Sequence, residues 1–513
     1  MSSRDSFSAV INNGAIIFAS RLVVFASAFL SIRLLVKHLG ISGYGTWEIL
    51  AAMVASCTIL TGPLVGTLLW KLSGAFGRGD WEGANRYIGI AFFIVICIFI
   101  IISIPAIWGR DWIADRFHLD SGIRTIFARV MPSLIFLALV GGINEVLATI
   151  VDSNQKMGTT TMIRTVNQLI FYVISIAMII LKFGLWSLFF GHLAMLVLNF
   201  ISFMIFSKKY FPQLKCTLVF PTYTEFVELK NYYLLLAFGY LAAALRDQTD
   251  KLVLGVFASA EFVGIYAIAS RIAALVTEAS TFVFGPSISA AGSKHARGDV
   301  EGLQRLYMDL MLVVPLFAGL LALWVITVHR AFIYAWLGRS VPEATPLIVF
   351  MTCTYLFVVA LTAAGASMCR GIGRVELESK YVAVGLVLNV IMTILGLAKF
   401  GAIATVYASG ISWMIGAVYF LFIIHQENLL PLAGTWRAVR ALTLWLFLMG
   451  LALLVAWLVP IPLSRWGATS RLLWLTGAGI SIWGLGLAIT MLLDSRVRKD
   501  MLGYIAVLHR KFA

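Results

Sequence analysis

Charge is what this chain has least of. Only 12% of its 513 residues are Asp, Glu, Lys or Arg, against 61% hydrophobic. A soluble domain could not cover its surface with so few charges. Long polar stretches are also missing, so no separate soluble domain is expected. The GxxxxGK[ST] phosphate loop is absent, which excludes an ATP-driven motor within this chain. The five cysteines, Cys57, Cys97, Cys216, Cys353 and Cys369, show no CxxC spacing, and four lie in apolar runs. Neither a disulfide framework nor a zinc site is expected. The longest outer loop, 110–123, is short and has no paired carboxylates placed for glycosyl transfer. That argues against a membrane glycosyltransferase, polymerase or ligase.

What is there instead is a succession of apolar runs of about 20 residues, each long enough to cross about 30 Å of hydrocarbon. They predict an all-α polytopic membrane protein with about fourteen spans, from residue 12 to residue 493. The first run follows a short polar start, Met1 to Asn13, without a small-residue cleavage site, so it reads as a retained helix. Two connections, Lys182-Phe183-Gly184 and Lys399-Phe400-Gly401, are so tight that each could flank one long segment or two spans.

The net charge is +15. An even number of spans puts both termini on one side. With that side called inside, 23 of the 39 Lys and Arg fall in inner segments and 11 in outer ones. Basic residues collect in cytoplasmic loops, so both termini are expected in the cytoplasm. Topology then explains most of the charge, and no nucleic-acid partner is expected.

The chain repeats itself at a shift of just under 220 residues. Arg78-Gly79-Asp80-Trp81-Glu82-Gly83 returns as Arg297-Gly298-Asp299-Val300-Glu301-Gly302. Lys182-Phe183-Gly184 returns as Lys399-Phe400-Gly401, and Gly62-Pro63 as Gly285-Pro286. The shift equals six spans, an even number, so the copies insert the same way up. Parallel six-helix lobes at 1–210 and 232–425 are expected, around a central cavity. A cytoplasmic linker, 211–231, joins them. Two additional helices and a basic tail follow at 426–513. Gly62, Pro63, Gly285 and Pro286 are either static bends or hinges at equivalent places. The RGDxEG loops read as helix starts.

A charge at the bilayer centre costs about 2.5–3.5 kcal/mol on insertion scales, so charges within spans face a cavity or a partner. The cations are Arg21 and Arg33 in the first span, Arg246 and Lys251 in the seventh, and Arg271 in the eighth. Arg246 and Asp250 are four apart, as are Asp247 and Lys251, so each pair can meet on the helix surface. They are either self-neutralised pairs or a charged lining that changes partners. Arg271 and Glu278, seven apart, share a face. Arg21 has no acidic residue within four positions, which makes it the leading candidate for a ligand. Glu48 and Glu145 are charge partners or carriers of a coupling proton. Such a cationic set suits an anionic substrate, because guanidinium forks bind phosphate oxygens.

Two segments carry a family resemblance. One is Arg33-Leu34-Leu35 with Leu39-Gly40-Ile41-Ser42-Gly43-Tyr44-Gly45-Thr46-Trp47. The other is Asp250-Lys251-Leu252-Val253-Leu254-Gly255 with Val263-Gly264-Ile265-Tyr266-Ala267-Ile268-Ala269-Ser270-Arg271-Ile272. Both resemble the Wzx-like polysaccharide flippases of the multidrug/oligosaccharidyl-lipid/polysaccharide exporter superfamily. The resemblance implies a transporter and not an enzyme. It would move a polyprenyl-diphosphate-linked oligosaccharide from the cytoplasmic to the periplasmic leaflet of a bacterial inner membrane, by alternating access. It maps Arg21, Arg246, Lys251, Arg271 and Arg33 onto a cation-lined cavity. No cofactor is expected beyond a coupling ion, proton or sodium. The expected partners are the lipid-linked substrate and membrane lipid, and a complex with a polysaccharide polymerase stays open. Lipid II is an alternative substrate. A multidrug or organic-cation antiporter shares the superfamily, but its cavity would be acidic.

Overall fold

A computed structural model describes residues 3–277 and 287–458, except positions 57, 118, 120, 155, 216, 289, 293, 296, 428 and 429, and a few isolated residues beyond 458. The side chains of some helical residues, among them 21 and 242–247, lie outside the description. Every described element is an α-helix. In chain order they are α1 (Ser3–Ser56), α2 (Thr58–Arg78), α3 (Trp81–Trp108), α4 (Arg110–Arg116), α5 (Ser121–Asp152), α6 (Met157–Ile180) and α7 (Trp186–Tyr210). Then come α8 (Tyr223–Phe257), α9 (Ala260–Ala273), α10 (Val300–Leu337), α11 (Ala344–Gly371), α12 (Val375–Phe400), α13 (Ile403–Gln426) and α14 (Leu432–Leu458).

Ten described segments are long and apolar enough to cross a membrane. One of them, Ala26–Phe76, runs across the boundary between the first two expected spans. The seventh expected span falls in α8, which has 35 residues but whose apolar run is interrupted by Lys230, Asn231, Arg246, Asp247, Gln248, Asp250 and Lys251. The thirteenth coincides with α14, and the fourteenth, 471–493, lies outside the described residues. Each tight Lys-Phe-Gly connection separates two helices, α6 from α7 and α12 from α13. Lys182 (φ 67°), Gly184 (φ 56°) and Gly401 (φ 70°) adopt the left-handed backbone those reversals need.

α1 is two helical arms joined at Gly40, whose φ of 74° and ψ of 178° belong to a region essentially reserved for glycine. The two RGDxEG loops have the same local structure. Gly79 and Gly298 take φ of 70° and 69°. Asp80 and Asp299 then cap α3 and α10, each side chain accepting from the backbone N–H three residues on, at 2.8 Å.

Two compact units emerge from the packing. The first comprises 1–267 and 386–409. Its core interleaves Leu64, Leu68 and Leu72 of α2 with Ile88, Ala91 and Val95 of α3, Val146, Leu147 and Ile150 of α5, and Phe203 of α7. Spacings of three and four place each set on one helix face. The second unit comprises 268–385 and 410–513. There α10, α11 and α14 meet around Trp445, which is fully buried. Its indole fills the notch at Gly319, where a methyl group would lie 2.3 Å from Trp445 Cδ1. Small residues admit close approach, which matters in membranes because lipid offers no hydrophobic drive between helices.

Candidate functional site

The second arm of α1 brings Tyr44 and Glu48 to one face, a turn apart. The Tyr44 hydroxyl donates to Glu48 Oε1 at 2.7 Å. Lys251 of α8 reaches the other oxygen, Nζ to Oε2, at 2.7 Å. The pair is largely enclosed, with side-chain exposures of 19% for Lys251 and 10% for Glu48. Charge neutralisation and the tyrosine hydrogen bond together offset the cost of burial.

The neighbouring residue, Asp250, points elsewhere because consecutive helical residues diverge by about 100°. Its carboxylate is buried and, among the described residues, held by hydroxyls. Tyr266 of α9 donates to Oδ2 at 2.8 Å, and Ser409 of α13 donates to Oδ1 at 2.6 Å. Asn389 of α12 donates to the Ser409 oxygen at 2.8 Å, and Thr393 donates to Asn389 Oδ1 at 3.3 Å. Through residues of the first unit, two polar clusters that adjoin at positions 250 and 251 of α8 thus draw on five helices. Two of them touch backbone to backbone: a methyl group on Gly45 would lie 1.6 Å from the Ala260 carbonyl oxygen. No cluster of three metal-ligating side chains occurs among the described residues.

The chain has relatives that share this architecture. Residues 53–346, more than half of the chain, match the family described as polysaccharide biosynthesis protein. The chain belongs to the polysaccharide biosynthesis protein family. Its fold is that of transporters of the MOP superfamily. The lipid II flippase MurJ, in an inward closed conformation, superposes with a TM-score of 0.70 at 15% identity, over 94% of this chain and 100% of that one. A multidrug resistance MATE family transporter, inward-facing, superposes with a TM-score of 0.62 at 14% identity, over 82% and 94%. A MOP superfamily transporter from Pyrococcus furiosus, described as having a binding pocket of reverse polarity, gives 0.55 at 14% identity, over 84% and 96%. Identities this low speak for the fold. No curated protein matches in sequence.

The charged residues singled out in this family member fall in several places. Glu48 and Lys251 come together in one cluster, and Asp250 belongs to the adjoining one. Lys251 pairs with Glu48 of α1, 203 residues away in sequence. The described partners of Asp250 are likewise on other helices. Arg33 is exposed on the first arm of α1, and Arg271 is half-buried in the last turn of α9. Glu145 forms an ion pair with Arg164 of α6 at 2.7 Å. The side chains of Arg21, Arg246 and Asp247, and all of Glu278, Gly285 and Pro286, lie outside the described residues. Gly62 and Pro63 sit inside a continuous α2, where Gly62 makes room for the Tyr240 ring, 2.2 Å from where a methyl group would be. The uncharged members, Tyr44, Tyr266, Asn389, Thr393 and Ser409, escaped the sequence reading, as did Arg164. The spacing of four in Tyr44/Glu48 and in Asn389/Thr393 is the signal that was there to be used.

Proposed function

We propose that this protein is a flippase. It moves a polyprenyl-diphosphate-linked oligosaccharide from the cytoplasmic to the periplasmic leaflet by alternating access of two parallel lobes, for cell-surface polysaccharide biosynthesis. Membership of the polysaccharide biosynthesis family, together with a transporter fold, supports a flippase or transporter and gives no support to catalysis. The observation that carries the reading furthest is the enclosure of the Glu48–Lys251 pair and, next to it in sequence, of Asp250. Charges inside spanning helices are rare and mark substrate or ion pathways. In this reading Lys251 exchanges Glu48 for the substrate diphosphate, and Asp250 serves the coupling ion, proton or sodium. A polysaccharide polymerase is the protein partner the substrate would require.

Lipid II is the second reading, favoured by the extent of the likeness to the flippase MurJ. Both substrates join a diphosphate to a polyprenyl chain, so Lys251 and Asp250 would serve in the same way.

Deleting the gene in its host and following surface polysaccharide and its lipid-linked precursor tests the proposal. Wild type should restore export, while Asp250→Asn and the Glu48→Gln/Lys251→Met double variant should insert normally and fail to restore it. Unchanged polysaccharide with impaired cell-wall synthesis would move the assignment to lipid II. Unchanged glycans with raised drug sensitivity would sink both readings.

A further inference from the structure

The segment between α7 and α8, which the sequence marks as a cytoplasmic linker between the expected lobes, is fastened along α3 by a series of contacts. Phe211 is buried and stacks on Phe76, with centroids 4.5 Å apart. The Asn85 side chain then holds two backbone groups: its amide donates to Gln213 O at 3.1 Å, and its oxygen accepts from Lys215 N at 2.7 Å. At Gly89 the chain passes so close that a methyl group would lie 2.4 Å from Thr217 O. Phe220 meets Phe93, centroids 4.7 Å apart. Glu225, in the first turn of α8, closes the series. It takes two bonds from Arg86, at 2.5 and 2.9 Å, and accepts from the Thr222 backbone and hydroxyl.

The side of α3 that this strap covers is the informative point. At about 100° per residue, Asn85, Arg86, Gly89 and Phe93 fall within one arc of about 100°. Further along α3, Ile96, Ile100, Ile104 and Ile107 fall in the same arc, and they are exposed by 37, 49, 55 and 54%. An exposed isoleucine stripe on a spanning helix faces lipid. The strap therefore lies on the lipid side of α3. Phe93 belongs to the apolar run that begins at Ile88, so Phe220 reaches the level of that run. Its outward side chains suit that place. Leu218, Phe220, Tyr223 and Phe226 are exposed by 59, 74, 82 and 49%. Lys208, Lys209, Lys215 and Lys230, all exposed, flank them and complement anionic headgroups. Glu225 is neutralised by Arg86. Backbone groups at Gln213, Lys215 and Thr222 are satisfied by side chains, as a segment leaving water requires. Arg305, at the position of Arg86 in the second copy, pairs instead with Glu301 on its own helix, both exposed. The clamp therefore belongs to the strap and is not a general feature of the loop motif.

We infer that residues 211–215 and 217–226 form an interfacial wedge seated in the headgroup–acyl boundary of one leaflet, with Asn85 and Arg86 as its positioning residues. The test uses the full-length protein, with native cysteines replaced, in vesicles of phosphatidylethanolamine and phosphatidylglycerol. Spin labels at Leu218→Cys and Phe220→Cys should collide with oxygen more than with a water-soluble nickel chelate, and a label at Lys215→Cys should do the reverse. Adding Arg86→Ala should raise nickel access at 220 several-fold, while Arg86→Lys should raise it less. Nickel access at 218 and 220 as high as at 215 would overturn the inference and restore a water-exposed tether. Shielding of both positions from both reagents would also overturn it, since the strap would then lie beneath another element. Nickel access indifferent to Arg86→Ala would remove Arg86 from the clamp.

Discussion

Gly45 and Gly264, 219 residues apart in sequence, lie against one another in the first unit. A methyl group on Gly264 would sit 2.5 Å from the Ile41 carbonyl oxygen and 3.2 Å from Gly45 N. One on Gly45 would sit 2.8 Å from Gly264 N. Their separation in sequence equals that between the two RGDxEG loops. The obstructing atoms are backbone and cannot rotate away. Gly45→Ala and Gly264→Ala should each cost on the order of 1–3 kcal/mol or more and lower the melting temperature in detergent. Gly141→Ala is the comparison, because a methyl group there would lie 3.4 Å from the Leu196 side chain, an ordinary contact. If all three variants melt alike, the crossing is looser than described.

The Glu48–Lys251 pair predicts unequal effects of single and double replacement. Removing one member of a buried pair strands the other charge and typically costs about 3–5 kcal/mol. Glu48→Gln and Lys251→Met should each destabilise strongly, and Tyr44→Phe should add a smaller loss. Combining Glu48→Gln with Lys251→Met should recover much of the stability without recovering export. Additive losses in a double-mutant thermal-melting cycle would show that the two charges do not depend on each other.

How much of this could be read from the sequence follows from the chemistry of each part. Apolar runs announce spans because nothing else tolerates so much exposed hydrocarbon. Asp80 and Asp299 announce helix starts because capping is local. Glu48, Asp250 and Lys251 stand out because charge in a span is costly. Tyr266 and Ser409 do not, because single hydroxyls are ordinary helix-contact residues in membranes. Their convergence on Asp250 depends on packing that joins positions 16 and 159 residues away. The strap stayed hidden for a related reason. A Lys- and Pro-containing connection reads as solvent-exposed until the lipid-facing side of α3 is known.

The strap clamp has a defined pH dependence. Hydrogen bonds from Arg86, aided by Thr222, hold the Glu225 carboxyl well below its usual range, at about 2. A depressed carboxyl contributes stability in full above the unfolded value of about 4.3 and loses it as pH falls toward the folded value. Strap mobility, read from a spin label at Phe220→Cys, should therefore stay constant from neutral pH down to about 4.5 and rise only below that. Glu225→Gln should show the mobile spectrum at neutral pH. The guanidinium is 42% exposed, so solvent screening keeps the effect on global stability small.

Arg164 and Glu145 lead to a prediction about water inside the first unit. On α6, the exposed residues Met162, Val166, Val173 and Ile180 form the lipid stripe. Arg164 lies on the opposite face with Thr160, Asn167, Phe171 and Ser175, all buried, yet its own side chain is 38% exposed. Glu145 is 43% exposed although its neighbours Asn144, Val146, Leu147 and Ala148 are all buried. Exposure on a buried face means an interior opening. Its Nε is shielded and, among the described residues, has no hydrogen-bond partner. A permanently charged donor left in that state needs nearby water or a ligand. Arg164→Cys should therefore react readily with a membrane-impermeant thiol reagent from one side of the vesicle, and Asn167→Cys, one turn away and bonded to Asn199 at 2.7 Å, should not. Reaction at 164 that slows when a lipid-linked diphosphate is added would place the opening on the substrate route. An inert thiol at 164 would mean the space is dry, and the pair would then be a structural link between α5 and α6.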